Sequence, residues 1–316
     1  MSDKKIIAVV GATGAQGSGL VRAILNDPKG GFAVRALTRD VNSDKARALG
    51  ELGAELVQAD VNDEASLKRA FDGAYGAFCV TFFWEHMSPE KEIAHAGAMA
   101  RAAKRAGVGH VIWSSLEDTR RWVPVDDDRM PTLMEKYKVP HFDAKGEADR
   151  LFKEQGVPTT ILHTSYYWEN MIYFGMGPKA GPDGKLAITM PMGNSKLPGI
   201  GVEDIGKSAY NIFKKGDQYI GKTVGISGDQ LTGEQMAHEL ADALHQDIVY
   251  NNVPPEVFAG FGFPGAEDMA NMFQFKRDFE SDYCAERDVD RSRELNPELQ
   301  SFSEWLDRNK DRIPLS

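Results

Sequence analysis

The chain opens on an unbroken apolar burst, Ile6-Ile7-Ala8-Val9-Val10, the length of a single strand. A continuous rather than alternating apolar run marks a strand covered on both faces, as in a parallel sheet. Similar runs recur at 33–37, 55–59, 76–80, 110–113 and 159–162, and helical spacing fills the gaps at 16–26, 43–52, 64–71, 88–105 and 141–155. Ser88-Pro89-Glu90 supplies a capping serine, a proline in the first turn and an acid at the positive helix end. This alternation predicts an α/β fold, a Rossmann-type doubly wound parallel sheet.

After Thr164 the rhythm breaks. A turn-rich bridge at 178–184 leads to short strands at 186–190, 223–227 and 247–251 and helices at 202–214, 233–244 and 265–279. Thr232-x-x-Gln235 and Ser301-x-x-Glu304 read as capping boxes. The pattern predicts a first domain over 1–164, its sheet completed by later segments, and a smaller C-terminal α/β lobe over 165–316. The polar stretch 117–140, with Asp126-Asp127-Asp128 inside it, is too long for a plain connection. It reads either as a lid or mobile loop, or as a solvated insertion.

Composition narrows the function classes. The 37 basic and 47 acidic residues leave a net charge of −10, which argues against phosphate-driven nucleic-acid binding. Two cysteines, Cys79 and Cys284, support neither a disulfide framework nor a cysteine zinc cluster, so no metal site is predicted. No apolar run approaches the roughly 18 residues of a membrane span, and the N-terminus lacks a signal-peptide pattern. The expectation is a soluble, cytoplasmic protein of a reducing compartment.

The main chemical signal is Gly11-Ala12-Thr13-Gly14-Ala15-Gln16-Gly17, directly after the first strand and opening the first helix. Glycines there permit a tight turn, let backbone N–H groups approach a pyrophosphate and let the helix pack against the strand. The spacing G-x-x-G-x-x-G departs from G-x-G-x-x-G, so the strand–turn–helix context carries the reading. Cofactor choice falls after the second strand, where Thr38-Arg39-Asp40 puts both deciding residue types side by side. Arg39, with Lys45 close behind, favours the 2′-phosphate of NADP over NAD, leaving Asp40 to solvent or a helix cap. Asp60, after the third strand, either faces the adenine or closes a strand-end turn.

On these residues the sequence resembles the NmrA-like family of atypical short-chain dehydrogenases, and within it the HSCARG-type NADPH sensors. The matching stretches are 11–17, Val80-Thr81-Phe82-Phe83-Trp84-Glu85, His141-Phe142-Asp143-Ala144-Lys145-Gly146-Glu147, Tyr167-Trp168-Glu169-Asn170 and 262–273. The resemblance implies NADP(H) held by Gly11, Thr13, Gly14, Ala15, Gln16, Gly17, Arg39, Asp60, Val61, Thr81, Phe82, Phe83, Lys145, Tyr167, Trp168, Glu169 and Asn170. It also implies a homodimer and a regulatory protein partner.

The catalytic signal is incomplete. Short-chain dehydrogenases use Tyr-x-x-x-Lys, one helical turn apart, so that the ammonium lowers the tyrosine pKa. Four residues before Lys145 stands His141, and Tyr137 precedes the helix that Pro140 starts. Candidate proton-handling residues are therefore Lys145, Ser114 (with Ser115) and His141, each with a plain structural alternative as ribose ligand, strand-end turn or capping group. The aromatic runs 82–84 and 166–168 serve as pocket wall or as core. Two functions follow: an NADP(H) sensor without the usual tyrosine, or an NADPH-dependent reductase of a quinone or conjugated carbonyl using Lys145.

Overall fold

The computed structural model describes residues 4–181 and 184–315. Met1-Ser2-Asp3, Pro182 and Asp183 of the predicted bridge, and Ser316 lie outside them. In chain order the first elements are β1 (Lys5–Val9), α1 (Ala15–Leu25), β2 (Phe32–Thr38), α2 (Asp44–Glu51), β3 (Glu55–Gln58), α3 (Glu64–Phe71) and β4 (Gly76–Cys79). There follow α4 (Phe83–His86), α5 (Pro89–Ala106), β5 (His110–Ser115), α6 (Pro140–Glu154), β6 (Thr159–His163), β7 (Tyr166–Tyr167), α7 (Asn170–Tyr173), β8 (Lys179–Ala180), β9 (Leu186–Met190) and β10 (Leu197–Ile200). The chain continues through α8 (Val202–Lys215), β11 (Thr223–Gly225), β12 (Asp229–Leu231), α9 (Gly233–Leu244), β13 (Ile248–Asn252) and α10 (Pro255–Ala259). It ends with α11 (Ala266–Asp278), α12 (Glu280–Glu286), α13 (Val289–Leu295) and α14 (Phe302–Asn309).

A seven-stranded sheet runs β11-β6-β5-β4-β1-β2-β3. Pairing from β3 through β6 is parallel, with Ile7 opposite Val34 and Gly76, and Trp113 opposite Cys79 and Ile161. β1 therefore sits between β2 and β4, and its carboxyl end meets theirs along one edge of the sheet. Every residue of β4 and β5 is buried, as two covered faces require. Helix α5 lies on the sheet through a stripe of small residues, Ala96, Ala100 and Ala103 beside Met99. Fully buried rings of Phe71, Phe78, Trp113 and Phe152 anchor the core, each contributing about 1.5–3 kcal/mol of burial. Helix starts follow capping chemistry: Ser43, Asp63 and Ser88 accept backbone N–H groups at α2, α3 and α5.

The chain divides into two compact units. The first joins Met1–Asp118, His141–His163 and Ile205–Val224, and holds nearly all of the large sheet. The second joins Thr119–Pro140, Thr164–Asp204 and Gly225–Ser316, and contains the three-stranded sheets β12-β10-β7 and β13-β9-β8. Both predicted capping boxes are formed, at Thr232 and Ser301.

Residues 119–140, most of the 117–140 stretch read as a lid, mobile loop or solvated insertion, are tied to their own unit by hydrogen bonds. A 3-10 turn at Thr119–Arg121 opens this segment, and Leu133 bridges Tyr137. The buried Lys138 ammonium donates to the carbonyls of Asp127 and Met130, each at 2.7 Å, and to Thr132 Oγ1 at 2.9 Å. From α11, Asn271 donates to the carbonyls of Pro131 and Lys138, and Gln274 to that of Arg129. A buried cation and two buried amides thus satisfy five of the segment's carbonyls and hold it on its own unit.

Candidate functional site

The turn after β1 is built for close backbone approach. Gly11 has a φ of 64°, and its carbonyl accepts from Gly14 N–H at 2.9 Å. Helix α1 begins so near this turn that a Cβ on Gly17 would stand 2.3 Å from the Gly11 carbonyl oxygen. No side chain caps α1 at Gly14, and its first turn carries no acid, unlike α2, α3 and α5. Gly11, Gly14 and Ala15 are exposed, whereas Thr13 and Gln16 are partly covered and Gly17 is buried. An uncapped, exposed helix start offers its first N–H groups and its positive dipole end to an anion.

Beyond β2, Arg39 reaches across to Glu85 on α4, its Nη1 donating to Oε1 at 2.5 Å. Asp40 has the local role that its neighbours suggest, accepting from Asn42 N–H at 2.8 Å ahead of α2, and Lys45 is exposed on that helix. Asp60 accepts from the backbone and side-chain nitrogens of Asn62 at 2.8 and 2.9 Å, closing a strand-end turn. Those hydrogen bonds hold its carboxyl below the usual carboxylate range, with Arg39 adding to the effect. Val61, next in that turn, is partly buried.

Lys145 is in a dense polar cluster. Its ammonium donates to Thr81 Oγ1 at 2.6 Å and pairs with Glu92 Oε1 at 2.9 Å, standing 5.0 Å over the Trp113 ring. Thr81 in turn donates to Glu92 Oε1 at 2.5 Å. The Glu92 carboxylate has no exposed surface, and His86 Nε2 lies 3.4 Å from its other oxygen. His86 Nδ1 accepts from Ser88 N–H at 3.1 Å, so in the neutral ring the proton sits on Nε2 and faces Glu92. Glu92 was not among the predicted residues, although its signal is present: it occupies the apolar stripe of α5 with Ala96, Met99 and Ala103. A carboxylate on a buried stripe requires a buried cation, and Lys145 supplies it.

His141 is buried rather than being a surface cap. It packs against Trp84 at 4.8 Å and Phe83 at 5.9 Å between ring centroids. Phe82, which opens α4, is exposed. Ser114 Oγ donates to Gln16 Oε1 at 2.8 Å, tying the end of β5 to the first turn of α1, while Ser115 donates to Asp149.

The remaining predicted residues belong to the second unit. Trp168 is core: its ring lies tilted against Phe302 and Trp305, and Gly199 and Gly228 leave room for it. Both oxygens of Glu169 are engaged, one by Trp305 Nε1 at 2.9 Å and the other by Val202 N–H at 3.0 Å at the start of α8. Burial raises its pKa. Tyr167 OH is 3.3 Å from Thr164 Oγ1, and the Asn170 carbonyl accepts from Phe174 and Met176 N–H.

A Rossmann-like parallel sheet with a glycine turn at its carboxyl edge places the chain in the doubly wound α/β class. The chain belongs to the NmrA-like family, which matches it over residues 3–306. It is 31% identical over 296 residues to the NmrA-like family domain-containing oxidoreductase FrzB of Cladobotryum sp., covering 85% of this chain and 83% of that one. It also resembles the crystal structure of NmrA, a negative transcriptional regulator, with a TM-score of 0.78 at 25% identity over 96% of this chain and 95% of that one. NmrA has been solved with NADP and with NAD. The fold also matches the triphenylmethane reductase of Citrobacter sp. in complex with NADP(H), with a TM-score of 0.74 at 20% identity, covering 96% of this chain and 99% of that one.

Proposed function

We propose that this chain binds a nicotinamide dinucleotide, NADP(H) in preference to NAD(H), and works as a regulator that responds to NADP(H) occupancy. The carrying observation is the uncapped, acid-free start of α1 behind the Gly11–Gly17 turn, with the Arg39 guanidinium at the same sheet edge. The turn would hold the pyrophosphate by backbone N–H groups, and Arg39 the 2′-phosphate. Bound reduced coenzyme supplies a hydride. Lys145 has three N–H donors; Thr81 and Glu92 take two, which leaves one for a ribose hydroxyl.

The regulatory reading rests on His141. It occupies the helical position that a tyrosine–lysine pair gives to its acid, and aromatic rings enclose it. In this reading the protein is a cytoplasmic homodimer whose shape and protein contacts follow coenzyme occupancy. Such a switch needs unequal affinity for two conformers. Small-angle scattering with and without NADPH tests it: a change in mass or shape supports the switch, and identical profiles at saturation remove it.

One observation favours a second reading, NADPH-dependent reduction of a quinone or conjugated carbonyl. The buried Lys145 ammonium keeps one N–H donor beyond those taken by Thr81 and Glu92, which suits hydrogen bonding to a carbonyl oxygen that accepts a hydride on its conjugated carbon. FrzB carries the description oxidoreductase, in keeping with this reading. Steady NADPH oxidation with a quinone or enone, lost in Lys145→Ala while coenzyme binding persists, would establish it. Flat absorbance across a broad panel would exclude it.

A further inference from the structure

The dinucleotide reading gives Arg39 to a phosphate, yet its Nη1 is already held by a carboxylate, Glu85 Oε1 at 2.5 Å. Arg39 follows β2, Glu85 follows β4, and these strands flank β1 on either side. All three strands run parallel, so both residues and the 11–17 turn are at the same sheet edge. The pair spans from one side of the turn to the other. Its side chains are 65% and 48% exposed, so a ligand can reach them and the contact can open.

Glu85 takes only Nη1 of Arg39, but a second anion on the same guanidinium stands close enough to Glu85 for the two like charges to repel. A 2′-phosphate carries nearly two negative charges at neutral pH, and beside Arg39 it meets Glu85 and also Asp60, whose field reaches the same guanidinium. The 2′-hydroxyl of NAD carries no charge and meets no such repulsion. We infer that Glu85 is a specificity-determining residue: it competes with the coenzyme 2′-phosphate for Arg39 and thereby sets the preference between NADP and NAD. This inference rests on the dinucleotide reading and adds to it a residue that opposes NADP.

The position of Glu85 connects it to the Lys145 cluster. It shares α4 with Phe83 and His86. Phe83 and its neighbour Trp84 pack on His141, and His86 faces the carboxylate that pairs with Lys145. Glu85 thus shares one short helix with His86, which faces the Lys145 cluster.

Calorimetric titration of the full chain with NADP+ and, separately, NAD+ at fixed ionic strength tests the inference. Glu85→Gln and Glu85→Ala are both expected to raise the NADP+ to NAD+ affinity ratio by about three- to tenfold, the scale of an exposed ion pair plus one removed like charge. In an Arg39→Ala background the same substitutions are expected to leave the ratio unmoved, because the contested guanidinium is gone. Wild-type protein that binds both coenzymes, with an unaltered or lower ratio in both Glu85 variants, overturns the inference and leaves the dinucleotide reading standing. Wild-type protein that binds neither coenzyme overturns both.

Discussion

The Lys145 ammonium lies 2.9 Å from Glu92 Oε1, on a carboxylate with no solvent exposure. Fifty-three positions separate the two residues in the chain, and they meet because α5 packs on β4 while Asp149 and Phe152 of α6 pack on Trp113 of β5. With both partners almost wholly buried, removing one strands the other's charge.

Glu92→Ala is therefore expected to destabilise the protein by about 3 kcal/mol in denaturant unfolding, and Lys145→Met by a similar amount. The double variant Glu92→Leu/Lys145→Met is expected to cost clearly less than the sum of the singles, since no charge is then left unpaired. Strictly additive losses would show that the pair carries no coupling.

Stability is expected to fall in mild acid through His110. This residue is wholly buried, its Nε2 is 2.8 Å from Thr160 Oγ1, and the Thr160 hydroxyl donates onward to the Tyr219 carbonyl. Burial holds its pKa in the folded chain down to about 4, against 6.5 when unfolded. Between those values the unfolded chain takes up a proton that the folded chain refuses. The contribution is thus full above pH 6.5 and lost as the pH falls toward 4. Between pH 7 and 5 the loss is about 2 kcal/mol. Denaturant midpoints across that range in wild type and His110→Gln measure it, and the variant is expected to show a flatter profile.

The glycine turn makes a sharper test of geometry than of charge. A methyl group at residue 17 has nowhere to go, with the Gly11 carbonyl oxygen 2.3 Å and the Ala12 Cα 2.9 Å from the added carbon. Gly17→Ala is expected to push α1 away from the turn, costing about 1–3 kcal/mol of stability and at least tenfold in dinucleotide affinity. Calorimetry and thermal unfolding of the same sample separate the two effects.

Much of this architecture is legible in the residues. The apolar burst 6–10, the capping serines and the 11–17 turn place the sheet, its helices and its carboxyl edge to within a residue or two. The two-residue strands β7 and β8 and the four-residue helices α4 and α7 escape, because so few positions carry no period. Glu85, His86 and Glu92 escape for another reason. Their roles depend on partners at 39 and 145, which only the sheet order brings near. Trp168, a motif residue that the resemblance gives to the cofactor, lies in the core of its own unit, against Phe302 and Trp305. Nothing in the 117–140 sequence signals its anchoring, because Lys138, among many exposed lysines, gives no sign that its ammonium is buried among carbonyls.

Lys138→Met is accordingly expected to free that segment. Three hydrogen bonds from one buried ammonium vanish, and two carbonyls lose the donor that Lys138 provided. Limited proteolysis is expected to cut within 119–140 several times faster than in wild type. Unchanged cleavage would mean that the α11 amides suffice.

Amide hydrogen exchange of the full chain with saturating NADPH tests the central claim most directly. The account predicts added protection concentrated in residues 11–18 and around Arg39, the backbone at the carboxyl edge of β1 and β2. Exchange that stays unchanged over that edge, at coenzyme concentrations in the millimolar range, would contradict it.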